Sequence, residues 1–330
     1  MSTTQAPLLP RQPNRLRRLR SLNEIGMLVC LLILVGVFSQ LAPNFLTDRN
    51  LINILRSASY VGIVAFPMTF VIIAGEIDIS VGPAVAFAGV LFAMLVGPYG
   101  WPLPIAALAT LAVGMAHGFA AGLMRVRYGV PTFIATLALW SSLRGLALWW
   151  TNALPAMIPS KEFRGALGGD LFGLPVVTWV MLLVLVLFWY LSRYTAYGRS
   201  VYAVGGNAAA AKLSGVKVDR VRIGVMMTTG FFAALCGILI DARLGSGNAS
   251  AADGLEFDVI AAVVVGGTLL SGGAGQMIGT LLGVLVIAVL SNGLVLMGVV
   301  PDVQKVVRGL VILLAVLLNA VIVRRAASGH

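Results

Sequence analysis

The sequence predicts an all-α fold: a polytopic transmembrane bundle of about ten spanning helices, with broken helices near a pathway and both termini cytoplasmic. Three observations predict it. Hydrophobic residues make up 59% of the 330 positions, and the mean hydropathy is +0.97. Charged residues make up only 11%, against about 25% in soluble domains, too few to dress a water-facing surface. The apolar residues fall in runs of spanning length, for which roughly 17–25 residues are needed. Ordinary soluble enzymes, disordered chains and disulfide scaffolds are excluded by the same figures.

Taken in order, residues 1–24 read as a disordered basic cytoplasmic tail, with Arg15, Arg17, Arg18 and Arg20 ahead of the first apolar run. No small-residue cleavage site closes that run, 25–42, so it reads as a retained helix and not as a signal peptide. Further spans are expected at about 59–75, 81–97, 102–124, 131–150, 175–191, 221–240, 257–273, 276–298 and 303–323. Residues 25–325 thus form one membrane domain, with a cytoplasmic loop at about 192–220 and a short tail at 326–330. Basic residues set the orientation. With the N-terminus inside, 15 Lys and Arg fall in inside segments and seven outside, Arg144 lying within a span. The net charge of +11 is therefore a mark of topology in a lipid membrane and not of a nucleic-acid partner. Cys30 and Cys236 read as small core hydrophobes. No HExxH, CxxC or His–carboxylate cluster occurs, so neither a metal site nor catalytic residues are expected.

Three segments carry chemistry. Gly75–Pro83, GEIDISVGP, places Glu76, Asp78 and Ser80 between two apolar runs. A charge at membrane depth costs about 2.5–3.5 kcal/mol, and irregular backbone there is tolerated only against protein or a water-filled cavity. The segment is either a broken helix lining a pathway or a tight turn in which Asp78 or Ser80 caps the next helix. Gly266–Gln276, GGTLLSGGAGQ, includes Thr268, Ser271 and Gly272 and interrupts a second apolar stretch at a comparable place in the other half. Interrupted pairs of this kind point to translocation sites, and small residues also serve helix packing. Tyr194–Arg222 is the third. There Gly205 and Gly206 lead to Asn207, which caps a short helix over Ala208–Leu213 containing Ala210 and Ala211; Ser214 and Gly215 end it. A smooth, short helix on the membrane surface suits insertion into a groove of another protein. His117 reads as a packed or cavity-wall histidine. Arg144 pairs with a carboxylate or snorkels. Trp140, Trp149 and Trp150 suit an interfacial belt or a sugar-stacking wall.

At these residues the chain resembles the membrane permease subunits of ribose-type sugar ABC importers. Gly75–Pro83 is similar to their GGIDLSVGS-like segment, with Glu76 and Pro83 where Gly and often Ser stand. Tyr197–Val216 matches their YGRxxYAxGGNxxAAxxSGI-like loop, Gly266–Val284 their GGTSLSGGxGxxxGTxxGA-like stretch, and Asn292–Val299 their NGLxLxGV segment. The family includes permeases for xylose, arabinose, galactose, rhamnose and autoinducer-2. The resemblance implies a bacterial inner-membrane, multi-pass, non-enzymatic subunit. It implies a second permease chain, homo- or heterodimeric, and an extracytoplasmic sugar-binding protein. It also implies cytoplasmic ATP-binding cassette subunits that bind the ATP and hold the region around Asn207–Gly215. The missing GxxxxGK[ST] motif agrees, since ATP must then be handled by another chain. An ion-coupled secondary transporter is the rival reading, with Asp78, Glu76, Arg144 and His117 as its titratable or charged groups. A membrane-embedded enzyme lacks a visible nucleophile or metal constellation.

Overall fold

The computed structural model describes the backbone of residues 15–328, and side chains for 24–314, 316 and 317. In chain order the helices are α1 (Arg15–Leu41), α2 (Asp48–Ile73), α3 (Val81–Val96), α4 (Leu103–Tyr128), α5 (Thr132–Thr151), α6 (Lys161–Gly168), α7 (Val176–Tyr194), α8 (Ala196–Gly206), α9 (Ala208–Leu213), α10 (Val218–Leu244), α11 (Leu255–Val265), α12 (Met277–Leu296) and α13 (Pro301–Ser328). The strands are two-residue pairs. β1 (Ala156–Met157) lies antiparallel to β4 (Ser246–Gly247), and β2 (Asp170–Leu171) to β3 (Leu174–Pro175). We call the end of the bundle that carries α8 and α9 the near end, and the other the far end.

Among the described residues, seven helices are long and apolar enough to cross a membrane: Glu24–Leu41 of α1, and α2, α4, α5, α7, α10 and α12. The chain is a multi-pass membrane protein. The difference from about ten lies partly in the two segments of irregular backbone. α3 has 16 residues and α11 has 11, about 24 and 16 Å of helix at 1.5 Å per residue, against a hydrocarbon core of about 30 Å. The expected span 257–273 is therefore not one helix. It stops at Val265, and Gly267, Gly272 and Gly273 follow with φ of +83°, +84° and +77°, a region that only glycine adopts freely. The tail boundary also moves. α1 begins at Arg15, inside the expected disordered tail, whose first 14 residues lie outside the described ones, as do residues 329 and 330 of the second tail. Cys236 is buried as expected but Cys30 is exposed on α1, a position compatible with lipid contact.

α2 is the central helix, buried along most of its length from Ala58 to Ile73. Its Asn50 and Asn292 of α12 exchange amide hydrogen bonds at 2.9 Å in both directions, which gives the NGL segment a packing role. α4 and α10 pack closely because Gly114, Gly118 and Gly122 repeat every four residues on α4. A Cβ at Gly114 would lie 2.5 Å from the Gly230 carbonyl oxygen and 2.6 Å from Ala234 Cβ. This is the small-xxx-small packing of membrane helices.

Candidate functional site

The linker between α2 and α3 is irregular and mostly buried, and two of its backbone N–H groups are met by side chains. Ile77 N–H donates to Thr132 Oγ1 at 3.2 Å and Ile79 N–H to Thr136 Oγ1 at 3.3 Å. The two threonines are four apart on α5, so they lie on one face and serve the linker as a neighbouring strand would. At the near end Glu76, 3% exposed, faces Arg125 of α4 at 3.0 Å and Arg222 of α10 at 2.8 Å, and accepts from Thr132 Oγ1 at 2.8 Å. One carboxylate thus ties the linker to three helices. Deeper in, Asp78 Oδ1 accepts from the Ser80 N–H at 2.9 Å and from Ser80 Oγ, which lies 2.9 Å from His117 Nε2. The backbone is irregular and buried, and Asp78 closes the turn that opens α3. Ser80 stands at the N-cap of α3 but its side chain makes no capping hydrogen bond.

The three singled-out segments meet at the near end. The Gly273 N–H donates to the Ile73 carbonyl at 2.8 Å. A Cβ on Gly272 would sit 3.1 Å from Gly75 Cα, and one on Gly205 would sit 2.6 Å from the Gly273 nitrogen. Tyr202 of α8 donates to the Gly275 carbonyl at 2.9 Å. Tyr197, half-buried beside Phe70 with 6.0 Å between ring centroids, has its phenol pushed up to about 12 by desolvation and stays neutral. Thr268 is buried and Ser271 is exposed. The six residues assigned to a pathway therefore do not share one surface. Glu76 and Gly272 belong to the near-end junction, and Asp78 and Ser80 to the buried network beneath it.

From this junction α9 projects as a knob. Asn207 caps it, its Oδ1 accepting from the Ala210 N–H at 3.0 Å, and Gly215 ends it at φ +83°, both as the sequence predicts. Ala209, Ala210, Lys212 and Leu213 are exposed, Leu213 at 91%, while Ala211 is buried at 5%. Leu213 is thus an exposed apolar side chain at the end of a capped helix. Ala211 instead faces the core and roots the knob.

The family described as "branched-chain amino acid transport system / permease component" matches residues 50–316. Several curated proteins are similar over nearly the whole chain. The probable ABC transporter permease protein YphD of Escherichia coli (strain K12) is 52% identical over 330 residues, 99% of each chain. The ribose import permease protein RbsC of the same strain is 42% identical over 302 residues, covering 90% of this chain and 94% of its own. The chain belongs to the permease family of ABC importers. The L-arabinose permease AraH of Azospirillum brasilense is 35% identical over 299 residues, 90% of this chain and 88% of its own. No solved structure matches the chain.

The far end of the permease holds what sequence reasoning missed. Arg144 finds its partners there, Asp253 Oδ1 at 3.0 Å and the Ala249 carbonyl. Arg308 of α13 faces Asp258 of α11 at 3.0 Å. Two cavities, of about 260 and 330 Å³, share Asp253 and Arg308 in their walls. Trp140 lines the larger one, whereas Trp149 is 76% exposed. Trp150 packs beside Phe87 and Tyr99, so the three tryptophans have separate settings.

Proposed function

We propose that this permease forms, with a second permease chain, the translocation pathway of an ABC importer for a monosaccharide or sugar-like solute. The ribose, rhamnose and xylose class comes first, with autoinducer-2 as the alternative. An extracytoplasmic binding protein delivers the solute. A separate cytoplasmic ATPase, which binds the ATP, grips the α9 knob. The permease itself performs no chemical step. Its residues offer a route and respond to a push.

The single observation that carries this reading is the rooted knob. Leu213 and Ala210 are exposed, while Gly205 near the end of α8 lies against Ile73, just before the first interrupted segment (75–83), and against Gly272 and Gly273 of the second (266–276). Force on the knob reaches both broken helices through backbone-to-backbone contacts, which transmit displacement because no flexible side chain lies between. Both segments combine irregular backbone with a short half-helix, as in sites that alternate between open faces. For the solute, the ribose and arabinose permeases among the relatives support a sugar over the amino acids in the family description.

The test is affinity purification of the tagged permease from its own cells in mild detergent. The expected complex contains an ATP-binding cassette subunit, retained by wild type and lost in Leu213→Asp at unchanged permease yield. A wild-type complex free of any ATPase, or one unaffected by Leu213→Asp, overturns the assignment of the knob.

A further inference from the structure

Helix α7 carries a bare apolar stripe. Trp179, Leu183, Val186 and Tyr190 are exposed and recur at helical spacing, so they share one face. The opposite face is buried, much of it against α2. The helix has 19 residues, about 28 Å at 1.5 Å per residue, close to the hydrocarbon core of about 30 Å. Aromatic rings stand towards both of its ends, Trp179 at one and Tyr190 and Tyr194 at the other, as aromatic belts bracket a bilayer. A spanning helix of this length puts Val176 at the far-end edge of the hydrocarbon layer. The β2–β3 hairpin, which ends at Pro175, therefore lies at the level of the headgroups.

The tip of this hairpin holds an unusual residue. Its two-residue turn is Phe172 and Gly173, with φ of +51° and +79°. Turns with both central φ values positive favour Asn-Gly, and a bulky side chain is an outlier there. Phe172 is nevertheless in place and 88% exposed, so neither local conformation nor packing within the chain accounts for it. The hairpin is fastened to the α7 stripe. Trp179 Nε1 donates to the Leu171 carbonyl at 3.0 Å, and Arg56 of α2 pairs with Asp170 at 2.7 Å. Leu171 is exposed as well. Phe172 and Leu171 thus extend the exposed apolar surface of Trp179 beyond the first turn of α7.

We propose that the 170–175 hairpin is a membrane anchor that lays Phe172 into the headgroup–acyl boundary of the far-end phospholipid leaflet. The stripe below it, already facing lipid, continues into the same layer. Arg56 and Asp170 neutralise each other, so the contact is with the apolar part of the lipid and asks for no headgroup charge. Through those two residues and Trp179 the anchor fixes α2 and α7 at one depth. It does not depend on which solute the permease carries.

The experiment reconstitutes the full permease, carrying Cys30→Ser, in phosphatidylethanolamine–phosphatidylglycerol vesicles, with one fluorophore attached at Phe172→Cys. Cys236 is buried and escapes labelling. Leu183→Cys is the lipid-facing reference, and Lys212→Cys, on the exposed side of α9, is the water-facing one. A lipid nitroxide near the headgroup end of the acyl chain should quench the Phe172 label about threefold more strongly than the Lys212 label, as for a residue of the interfacial belt. Iodide, present on both sides, should do the reverse. Iodide quenching equal to that at Lys212 puts the tip in water and overturns the anchor. Protection from both quenchers, which a covering protein chain would give, overturns it as well. A second measurement leaves the tip unlabelled. Phe172→Asn suits the turn better, so a merely local role makes amide exchange over residues 169–176 slower or leaves it unchanged. The anchor makes that exchange about threefold faster in vesicles, because the hairpin opens more readily, and Phe172→Trp restores the wild-type rate. Slower or unchanged exchange in Phe172→Asn overturns the proposal.

Discussion

Glu76 gives the sharpest energetic prediction. It stands where the permeases it resembles usually have glycine, and it is buried between two arginines. Arg125 and Arg222 keep 28% and 21% of their side-chain surface. Removing one partner from a buried pair costs about 3–5 kcal/mol. Partial solvation of both guanidinium groups screens the loss, so Glu76→Gln should destabilise the permease by about 2–3 kcal/mol. Arg222→Gln should cost less, because Arg125 and Thr132 still hold the carboxylate. Combining the two substitutions should recover about 1–2 kcal/mol relative to their sum. Reversible unfolding in mixed micelles, run as a double-mutant cycle, measures that coupling. Additivity to within about 0.3 kcal/mol would show that Glu76 and Arg222 do not interact, and the tie between the linker and α10 would have to be abandoned.

Three other outcomes follow from the same contacts. Ala210→Glu should abolish ATPase co-purification without lowering permease yield, whereas Ala211→Glu should lower the yield itself, because Ala211 is buried; equal yields would misplace the root of the knob. Gly114→Leu should destabilise by about 1–3 kcal/mol, the usual cost of overpacking, read as a fall in thermal midpoint in detergent, and an unchanged midpoint would contradict the close approach of α4 and α10. Asp78→Ala should reduce uptake more than it reduces folded yield, as judged by size-exclusion profiles, and a proportional fall would leave Asp78 only its turn-closing part.

What the sequence made legible was local. The α9 boundaries could be read because Asn207, four alanines and Gly215 act within a few residues of one another. The interruptions at 75–83 and 266–276 could be read because glycine and charge break an apolar run. Their meeting point could not, since Ile73, Gly205 and Gly273 are brought together only by tertiary packing. Arg144 and Asp253 are paired for the same reason, across 109 positions. The partners of Glu76 were hidden likewise: Arg125 and Arg222 read as topological charges, and both turn inward to the carboxylate. The glycine spacing of α4 was present in the sequence, but its partner surface on α10, at Gly230 and Ala234, is set only by tertiary packing. Hydropathy also overstated 257–273, because it weighs Gly266 and Gly267 lightly while backbone geometry weighs them heavily. α6 and the two-residue strands have no periodicity long enough to detect.

The most direct measurement is solute accumulation in sealed liposomes. Permease alone, with a proton or sodium gradient imposed, should carry no sugar uphill. Addition of its ATPase, its binding protein and ATP should produce accumulation that survives collapse of the gradient. Concentrative uptake by the isolated chain, powered by a cation gradient, would contradict a pathway moved from outside through α9.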